Sequence, residues 1–187
     1  GANLTKIAIL GELAQQNLAN PQKLGSDLQK ISATARATID SMSEIIWAIN
    51  PKNNSLDNLA AYLRKCAADC FELTAINYRL HFPEAVPGHP ISAEFRRHVF
   101  LVVKEAIHNV VKHARATEAE VQLISCDHTL EISIRDNGQG FVPETANGCG
   151  NGLRNMSKRM ADVGGEFEIQ SQPQEGTRVR ILARIKS

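Results

Sequence analysis

The sequence has few aromatic residues and almost no charge imbalance. Phe, Trp and Tyr make up only 5% of its 187 residues, so the 43% of hydrophobic residues must build a mainly aliphatic core. The formal net charge is +1, and bulk electrostatics therefore predicts neither nucleic acid nor a membrane surface as a partner. No apolar run reaches the roughly 18 residues that a membrane-spanning helix needs. The length fits one globular domain or two small ones.

Several chemical signatures are also missing from the sequence. It lacks GxxxxGK[ST], which excludes a P-loop nucleotide site, and no Ser-His-Asp or Cys-His order indicates a nucleophilic enzyme. Cys66 and Cys70 lie one helical turn apart, but no CxxC spacing and no histidine nearby in the sequence completes a metal site. We therefore interpret them as buried thiols rather than metal ligands.

The first 50 residues predict two helices with an apolar stripe each. Asn20-Pro21 separates the helices, and Pro51 cannot continue the second one. A hairpin this narrow cannot bury both stripes alone, which favours a homodimeric four-helix bundle over packing on the rest of the chain. The apolar positions are Leu4, Ile7, Leu10, Ala14 and Leu18, then Leu24, Leu28, Ile31, Ala35, Met42, Ile45 and Ile49.

Residues 51–187 alternate predicted helices with predicted strands. Helices are expected at about 55–75, 92–114 and 151–163, and strands at 77–82, 118–126, 129–136, 166–172 and 177–185. Strands on one side and helices on the other form a two-layer sandwich. The predicted fold class is α+β: an antiparallel helical hairpin at 1–50, followed by a two-layer α/β sandwich at 51–187.

One predicted helix carries a polar stripe of four residues. Glu105, Asn109, Lys112 and His113 follow at three- and four-residue steps and are expected on one face. A neutral amide oxygen at Asn109 suits Mg²⁺ that already has phosphate ligands. The ammonium of Lys112 suits phosphate, and His113 offers a hydrogen bond or caps the helix end. Taken alone, the stripe would equally fit a solvated helix face.

Asp136, Gly138 and Gly140 directly follow an alternating strand. A carboxylate at a strand end can accept a hydrogen bond from the amino group of adenine, and the glycines allow the backbone to turn sharply and approach the ring. The other interpretation is an ordinary hairpin turn, for which Asn-Gly is a strong signal. It is weakened because no partner strand follows at once.

Two further segments supply the rest of a nucleotide site. Gly150, Gly152 and Leu153 open a helix whose free amides suit phosphate oxygens. The small residues from Val142 to Gly150, with Cys149 among them, fit a lid over a triphosphate. Thr177 follows Gly176 at the start of the last strand, which by itself is only turn chemistry.

In this order, the four segments resemble the N, G1 and G2 boxes and the Gly-Thr strand of the histidine kinase/gyrase/Hsp90-type (GHKL) ATPases. The likeness is strongest to the catalytic part of two-component sensor histidine kinases. It implies ATP and Mg²⁺ as cofactors, with the metal on Asn109, adenine read by Asp136 and Thr177 beneath the ring. It also implies a base or water-orienting role for Glu105, beside Lys112 as the second catalytic residue.

The resemblance requires a phosphoacceptor histidine, yet the predicted hairpin contains none. The six histidines are His81, His89, His98, His108, His113 and His128. Gly1 matches the glycine that follows the acceptor in His-Asp-x-Leu-Gly, so we expect the acceptor about one helical turn upstream. The chain is then expected to bind ATP without labelling itself.

The resemblance also implies partners and a location. They are a second copy through the hairpin, a response-regulator receiver domain, and a cytoplasmic position with any membrane contact made by other parts of the protein. Two alternatives use the same fold. One is a regulatory module, such as an anti-sigma-type serine kinase or a silent partner. The other is a gyrase- or Hsp90-type ATPase, which needs long additional domains.

Overall fold

The computed structural model describes residues 2–17, 20–50, 53–142 and 152–185. The chain forms two compact units, Gly1–Ile49 and Asn50–Ser187. In the described ranges, no helix combines the length and the apolar character that crossing a bilayer requires.

The first unit is a hairpin of α1 (Ala2–Gln16) and α2 (Pro21–Ile49). The break predicted at Asn20-Pro21 is the start of α2. The side-chain oxygen of Asn20 accepts a hydrogen bond from the backbone N–H of Lys23 at 3.2 Å, as an N-cap does. Pro21 fills the first helical position, where its missing N–H costs nothing.

The hairpin buries only part of its apolar surface. Leu10 and Ala14 are buried, and near the turn the buried Asp27 accepts a hydrogen bond from the side chain of Asn17 at 3.1 Å. Other large apolar side chains remain on the outside of the single hairpin. Those more than half exposed are Leu4, Ile9, Leu28 and Met42.

The second unit contains a five-stranded mixed sheet in the order β1-β2-β3-β5-β4. Strands β1 and β2 are parallel, and the other neighbours are antiparallel. The strands are β1 (Asn77–His81), β2 (Glu118–Cys126), β3 (Thr129–Asp136), β4 (Glu166–Gln172) and β5 (Gly176–Arg184). The helices are α3 (Leu56–Glu72), α4 (Ala93–Asn109) and α5 (Gly152–Asp162), and a π-helical turn, Val110–Ala114, continues α4.

Three helices cover one face of the sheet, which gives the predicted two-layer α/β sandwich. Alternate residues of the central strands point to these helices and are buried, as Val121, Ile132 and Ile181 are. Phe71 of α3 stacks on Tyr78 of β1 with ring centroids 5.4 Å apart. The core is mainly aliphatic, as the composition indicated.

The other face of the sheet is polar. Arg180 binds Glu131 on the neighbouring strand through two hydrogen bonds of 2.9 and 3.0 Å, and its guanidinium lies 3.8 Å from Glu168. The Arg180 contact lowers the pKa of Glu131. Opposite charges on adjacent strands therefore cover this face in place of a second helical layer.

The turn between β2 and β3 and the start of α3 show how local residues shape the chain. Asp127 and His128 both have positive φ, 46° and 61°, so β2 and β3 meet in the predicted two-residue turn. Ser55 stands at the N-cap of α3 but makes no capping hydrogen bond. Its hydroxyl accepts instead from the Asn58 side chain at 2.9 Å.

Candidate nucleotide-binding site

Three polar residues form a row across the end of the sheet. Asp136 on β3 pairs with Thr177 on β5, and Thr177 pairs with Ser171 on β4. Residues directly opposite each other in antiparallel strands point to the same side, here the side that the helices cover. The oxygens of Ser171 and Thr177 are 3.0 Å apart. Because the Ser171 hydroxyl also donates to the carbonyl of Gly176 at 2.9 Å, Thr177 is the donor of that pair and keeps its lone pairs free to accept.

Asp136 is the buried acid of this row, with only 5% of its surface exposed. Its Oδ1 accepts the backbone N–H of Gly138 at 2.8 Å. Burial raises the pKa of Asp136, and hydrogen bonds from the Gly138 and Thr177 backbones oppose that rise. Burial removes most of the hydration of this carboxylate, so a further hydrogen bond from a ligand would stabilise it.

Hydrogen bonds on both sides hold the turn after Asp136 in place. Gln139 donates its backbone N–H to the carbonyl of Ala114 at 2.7 Å and its side-chain amide to that of His113 at 2.8 Å. On the other side, the backbone N–H of Gln174 donates to the Gln139 carbonyl at 2.7 Å. The turn therefore joins the end of the α4 segment to the β4–β5 hairpin.

Asn137 fixes the same turn to the start of β2. Its side-chain oxygen accepts the backbone N–H groups of Thr117 and Glu118 at 3.0 and 2.9 Å, and its amide donates to the Thr117 hydroxyl. Sequence reasoning treated Asn137 and Gln139 as part of a glycine turn only. The signal for their role was an amide side chain directly before each glycine.

The glycines of the turn are required by the protein itself. A Cβ on Gly138 would overlap the backbone of Ala114, and one on Gly140 would overlap the carbonyl of Gln172. Gly140 also has a φ of +55°. The sequence interpretation, in which these glycines let the backbone approach a ring, is thus incomplete: their close neighbours are other parts of the chain.

Helix α4 brings the polar stripe to the site but not as one regular α-helix. Asn109 is its last residue and is partly exposed, while Lys112 and His113 are exposed within the π-helical turn. A π-turn bonds i to i+5 and so advances less per residue than an α-turn. The α-helical spacing rule therefore does not apply to Lys112 and His113, and their shared face with Glu105 and Asn109 stays a prediction.

Glu105 lies against the start of α5. Its Oε1 is 3.0 Å from the position that a Cβ on Gly152 would take, so glycine leaves the carboxylate room. A negative group at a helix N-terminus is stabilised by the free amides there. Farther along, Nδ1 of the buried His98 is 2.9 Å from the backbone oxygen of Arg159. Both contacts hold α4 against α5, next to the partly exposed Leu153.

Gly150, Cys149 and most of the predicted lid lie outside the described residues. Within the described part of the chain, an open cavity of about 920 Å³ lies mainly over the polar face of the sheet. Its walls include Gln122, Ser133 and Arg178, but not Glu105 or Asn109. The walls also include Asp136, Ser171 and Thr177, so the cavity adjoins this row but not the polar stripe of α4. We therefore assign the rest of the site by its chemistry.

Comparisons with known proteins identify the family of the second unit. Residues 95–187 match the family "Histidine kinase-, DNA gyrase B-, and HSP90-like ATPase". They hold all the predicted site residues, from Glu105 to Thr177. Residues 95–187 belong to this ATPase family.

One curated relative and one solved structure show which members of this family the chain is similar to. The sensor protein VraS of Staphylococcus aureus is 37% identical over 88 residues, which are 47% of this chain and 25% of VraS. The chain thus spans about a quarter of the length of the curated relatives it matches. The ATP-binding domain of PrrB from Mycobacterium tuberculosis is 25% identical, with a TM-score of 0.54 over 71% of this chain and 96% of that one.

A second solved structure shares the fold of both units. The histidine kinase domain of the Erythrobacter litoralis EL346 blue-light activated kinase has a TM-score of 0.60 at 18% identity, over 99% of this chain and 95% of that one. At that identity the likeness shows the fold alone. Together with the family match and the VraS relative, it supports an ATP-binding catalytic core of the sensor histidine kinase type. The regulatory-module alternative is not favoured.

Proposed function

We propose that this core transfers the γ-phosphoryl group of Mg·ATP to a histidine of a dimeric sensor kinase, and from there to an aspartate of a response-regulator receiver domain. The observation that carries the proposal is the row of Asp136 and Thr177 at the end of the sheet, joined through the Gln139 turn to the helix that ends at Asn109. This arrangement supports one continuous surface for a base at one end and phosphates at the other.

Base recognition rests on Asp136 in this proposal. Its carboxylate accepts the adenine amino group, and the free lone pairs of Thr177 accept from the same group or from a bridging water. Guanine presents a carbonyl oxygen at that place, which two acceptors repel. The site is therefore expected to prefer adenine over guanine nucleotides.

The phosphates would lie between α4 and the start of α5. Asn109 provides a neutral ligand oxygen for Mg²⁺, and Lys112 provides positive charge for phosphate. The described residues contain no cluster of three carboxylate, His or Cys ligands. This donor set suits Mg²⁺ held mostly by phosphate and water, which is its usual coordination with nucleotides. When bound, the metal neutralises charge on the phosphates.

Glu105 is proposed to orient a proton-bearing group rather than to bind nucleotide. Its carboxylate already faces the first residue of α5, so it can accept a hydrogen bond from an incoming imidazole or water at that place. The glycine amides from Gly150 to Gly152 would complete the phosphate contacts. Transfer then depends mainly on positioning and charge neutralisation.

The accepting histidine is proposed to lie outside helices α1 and α2, since neither contains a histidine. All six histidines belong to the second unit. A receiver domain with its aspartate would collect the phosphoryl group in turn. We also propose a cytoplasmic position for this core, because ATP and receiver domains are found there.

Calorimetric titration tests the nucleotide site and the role of Asn109 together. The chain is expected to bind ADP and a non-hydrolysable ATP analogue saturably and GTP at least tenfold more weakly. Mg²⁺ should tighten binding of the ATP analogue to the native chain. In Asn109→Ala this gain should disappear, while metal-free binding stays unchanged, because only the metal contact is removed. Equal affinity for ATP and GTP analogues, or a full Mg²⁺ effect in Asn109→Ala, would contradict the site.

The hairpin is proposed to form a four-helix bundle with a second copy. The exposed apolar surface around Leu28, which is 53% exposed in the single hairpin, supports this. Sedimentation of the native chain should show a dimer, and Leu28→Glu should raise the dimer dissociation constant by about tenfold or more. Leu73→Glu is the matched control, since Leu73 is 90% exposed in the second unit. A monomeric native chain, or equal effects of the two variants, would overturn the bundle.

A further inference from the structure

Two histidines from distant parts of the second unit meet at one end of the sheet. His89 lies in the loop before α4, and His128 lies in the turn between β2 and β3. Their ring centroids are 4.6 Å apart, and the ring planes are inclined by 38°. His128 is exposed and His89 is partly exposed, so ions in solution can reach the pair.

Backbone hydrogen bonds fix both histidines in place. The carbonyl of His89 accepts the N–H of Leu56 at 2.9 Å, which ties the loop to the start of α3. The carbonyl of His128 accepts the N–H of Ile185 at 2.6 Å, which ties the turn to the residue that follows β5. Because the backbone already holds both residues, binding one ligand with both rings costs less conformational entropy than it would on free loops.

The distance between the rings fits two imidazoles on one metal ion. A metal–nitrogen bond of about 2.0–2.1 Å puts each ring centre about 3.2 Å from the metal. Two such rings on adjacent positions of a tetragonal ion are then about 4.5 Å apart, and on a tetrahedral ion they are about 5.2 Å apart. The observed 4.6 Å is close to the tetragonal value. A simple stack of the two rings has a similar spacing, so the surroundings must also favour a cation.

An acidic residue lies close to each histidine. Asp127 directly precedes His128. Next to His89, the Oδ1 of Asp57 is 3.6 Å from the position that a Cβ on Gly88 would take. Negative charge near two imidazoles favours a cation at the pair. The residues that the structure describes provide no group of three His, Cys, Asp or Glu ligands, so water would fill the remaining positions of the ion.

We propose that His89 and His128 form a binding site for a divalent ion of the Cu²⁺ or Ni²⁺ class, which fastens the loop before α4 to the β2–β3 turn. Imidazole suits these ions, and both prefer the tetragonal geometry that the ring distance fits. Mg²⁺ prefers oxygen ligands and is not expected at this place. The site does not depend on the proposed phosphoryl transfer, because His128 and Asp136 are at opposite ends of β3.

Calorimetric titration with Ni²⁺ in the presence of excess Mg²⁺ tests the pair. The native chain should bind Ni²⁺ saturably, and His89→Gln and His128→Gln should each weaken this binding about tenfold or more, because one imidazole is lost. His81→Gln is the matched control: His81 is an exposed histidine of β1, and its loss should leave the affinity within about twofold of the native value. Absence of saturable binding, or equal affinity of the native chain and either pair variant, would overturn the proposal.

Cu²⁺ bound to the chain gives a second readout that does not depend on affinity. Pulsed electron paramagnetic resonance counts the imidazoles on Cu²⁺ and should find two in the native chain and fewer in His89→Gln and His128→Gln, with the fold of each variant checked by circular dichroism. Cys126→Ser should keep both imidazoles and the Ni²⁺ affinity, although the exposed Cys126 thiol lies only two residues before His128. A single imidazole in the native chain, or loss of Ni²⁺ binding in Cys126→Ser, would overturn the two-histidine site.

Discussion

Asp136→Asn is expected to weaken ADP binding about 10- to 150-fold, which corresponds to about 1.5–3 kcal/mol for a charge-assisted hydrogen bond. The substitution keeps the size of the side chain and an oxygen for the Gly138 N–H. It removes the charge and turns one acceptor into an amide that faces the adenine amino group. Calorimetry of ADP with the native chain and the variant measures the loss.

Glu131→Gln is the matched control for Asp136→Asn. It makes the same chemical change on the same strand, but Glu131 points to the polar face of the sheet, where it binds Arg180. Its ADP affinity should stay within twofold of the native value. If Asp136→Asn also remains within twofold, Asp136 has no part in base recognition.

Asp136→Asn should not lower the stability of the protein at neutral pH. Burial raises the pKa of Asp136, so the native chain holds this proton more tightly than the unfolded chain does. The contribution of Asp136 to stability is therefore greatest below the ordinary carboxyl pKa and falls as pH rises through the folded pKa. Asn has no charge to bury. As the pH increases from 4 to 7, the melting temperature of Asp136→Asn should therefore rise relative to that of the native chain.

Gly140→Ala is expected to lower the free energy of unfolding by about 3 kcal/mol or more. Two costs combine at this position. Its φ of +55° disfavours any residue with a Cβ, and the added carbon would overlap the carbonyl of Gln172. Urea unfolding followed by circular dichroism gives the change.

Gly164→Ala measures the first of these costs alone, so the difference between the two variants gives the second. Gly164 also has a positive φ, +70°, but a Cβ there has nothing within 4 Å. Its substitution should cost only the conformational term of about 1–2 kcal/mol. Equal losses in the two variants would show that the contact of the turn with the β4–β5 hairpin contributes nothing to stability.

The strands and their turn could be predicted closely because their signals are local. Apolar alternation in β2 and β3 and the two residues between them fix the hairpin without any information from the rest of the chain. The helical hairpin was predictable for the same reason. The order β1-β2-β3-β5-β4 was not, since it depends on which strand edges meet after folding.

The end of α4 was predicted with the right length but the wrong geometry. The residues Val110–Ala114 favour a helix, and nothing in them distinguishes an α-turn from a π-turn. The carbonyls of His113 and Ala114 are bound by Gln139, which is far away in the sequence. A contact of this kind carries no local pattern, and that is why the π-helical turn was not predicted.

Candidate site residues with a special chemical type were easier to identify than their supports. Asp136 and Asn109 were selected because an acid at a strand end and an amide on a polar helix face suggest ligands. Ser171 was missed, although it binds both Gly176 and Thr177, because a serine inside an exposed edge strand looks like surface. Cys66 and Cys70 were predicted to be buried, but both are partly exposed.

The pairing of β3 with β5 has a consequence for the order of folding. Asp136 meets Thr177 only after the whole segment between them has been closed into a loop, which costs more chain entropy than closing the β2–β3 turn. Local hairpins should therefore form early, and this non-local pairing should form late. Binding of nucleotide during refolding would then report the pairing of β3 with β5. A chain that ends before Gly176 could fold the β2–β3 hairpin without acquiring affinity for ADP.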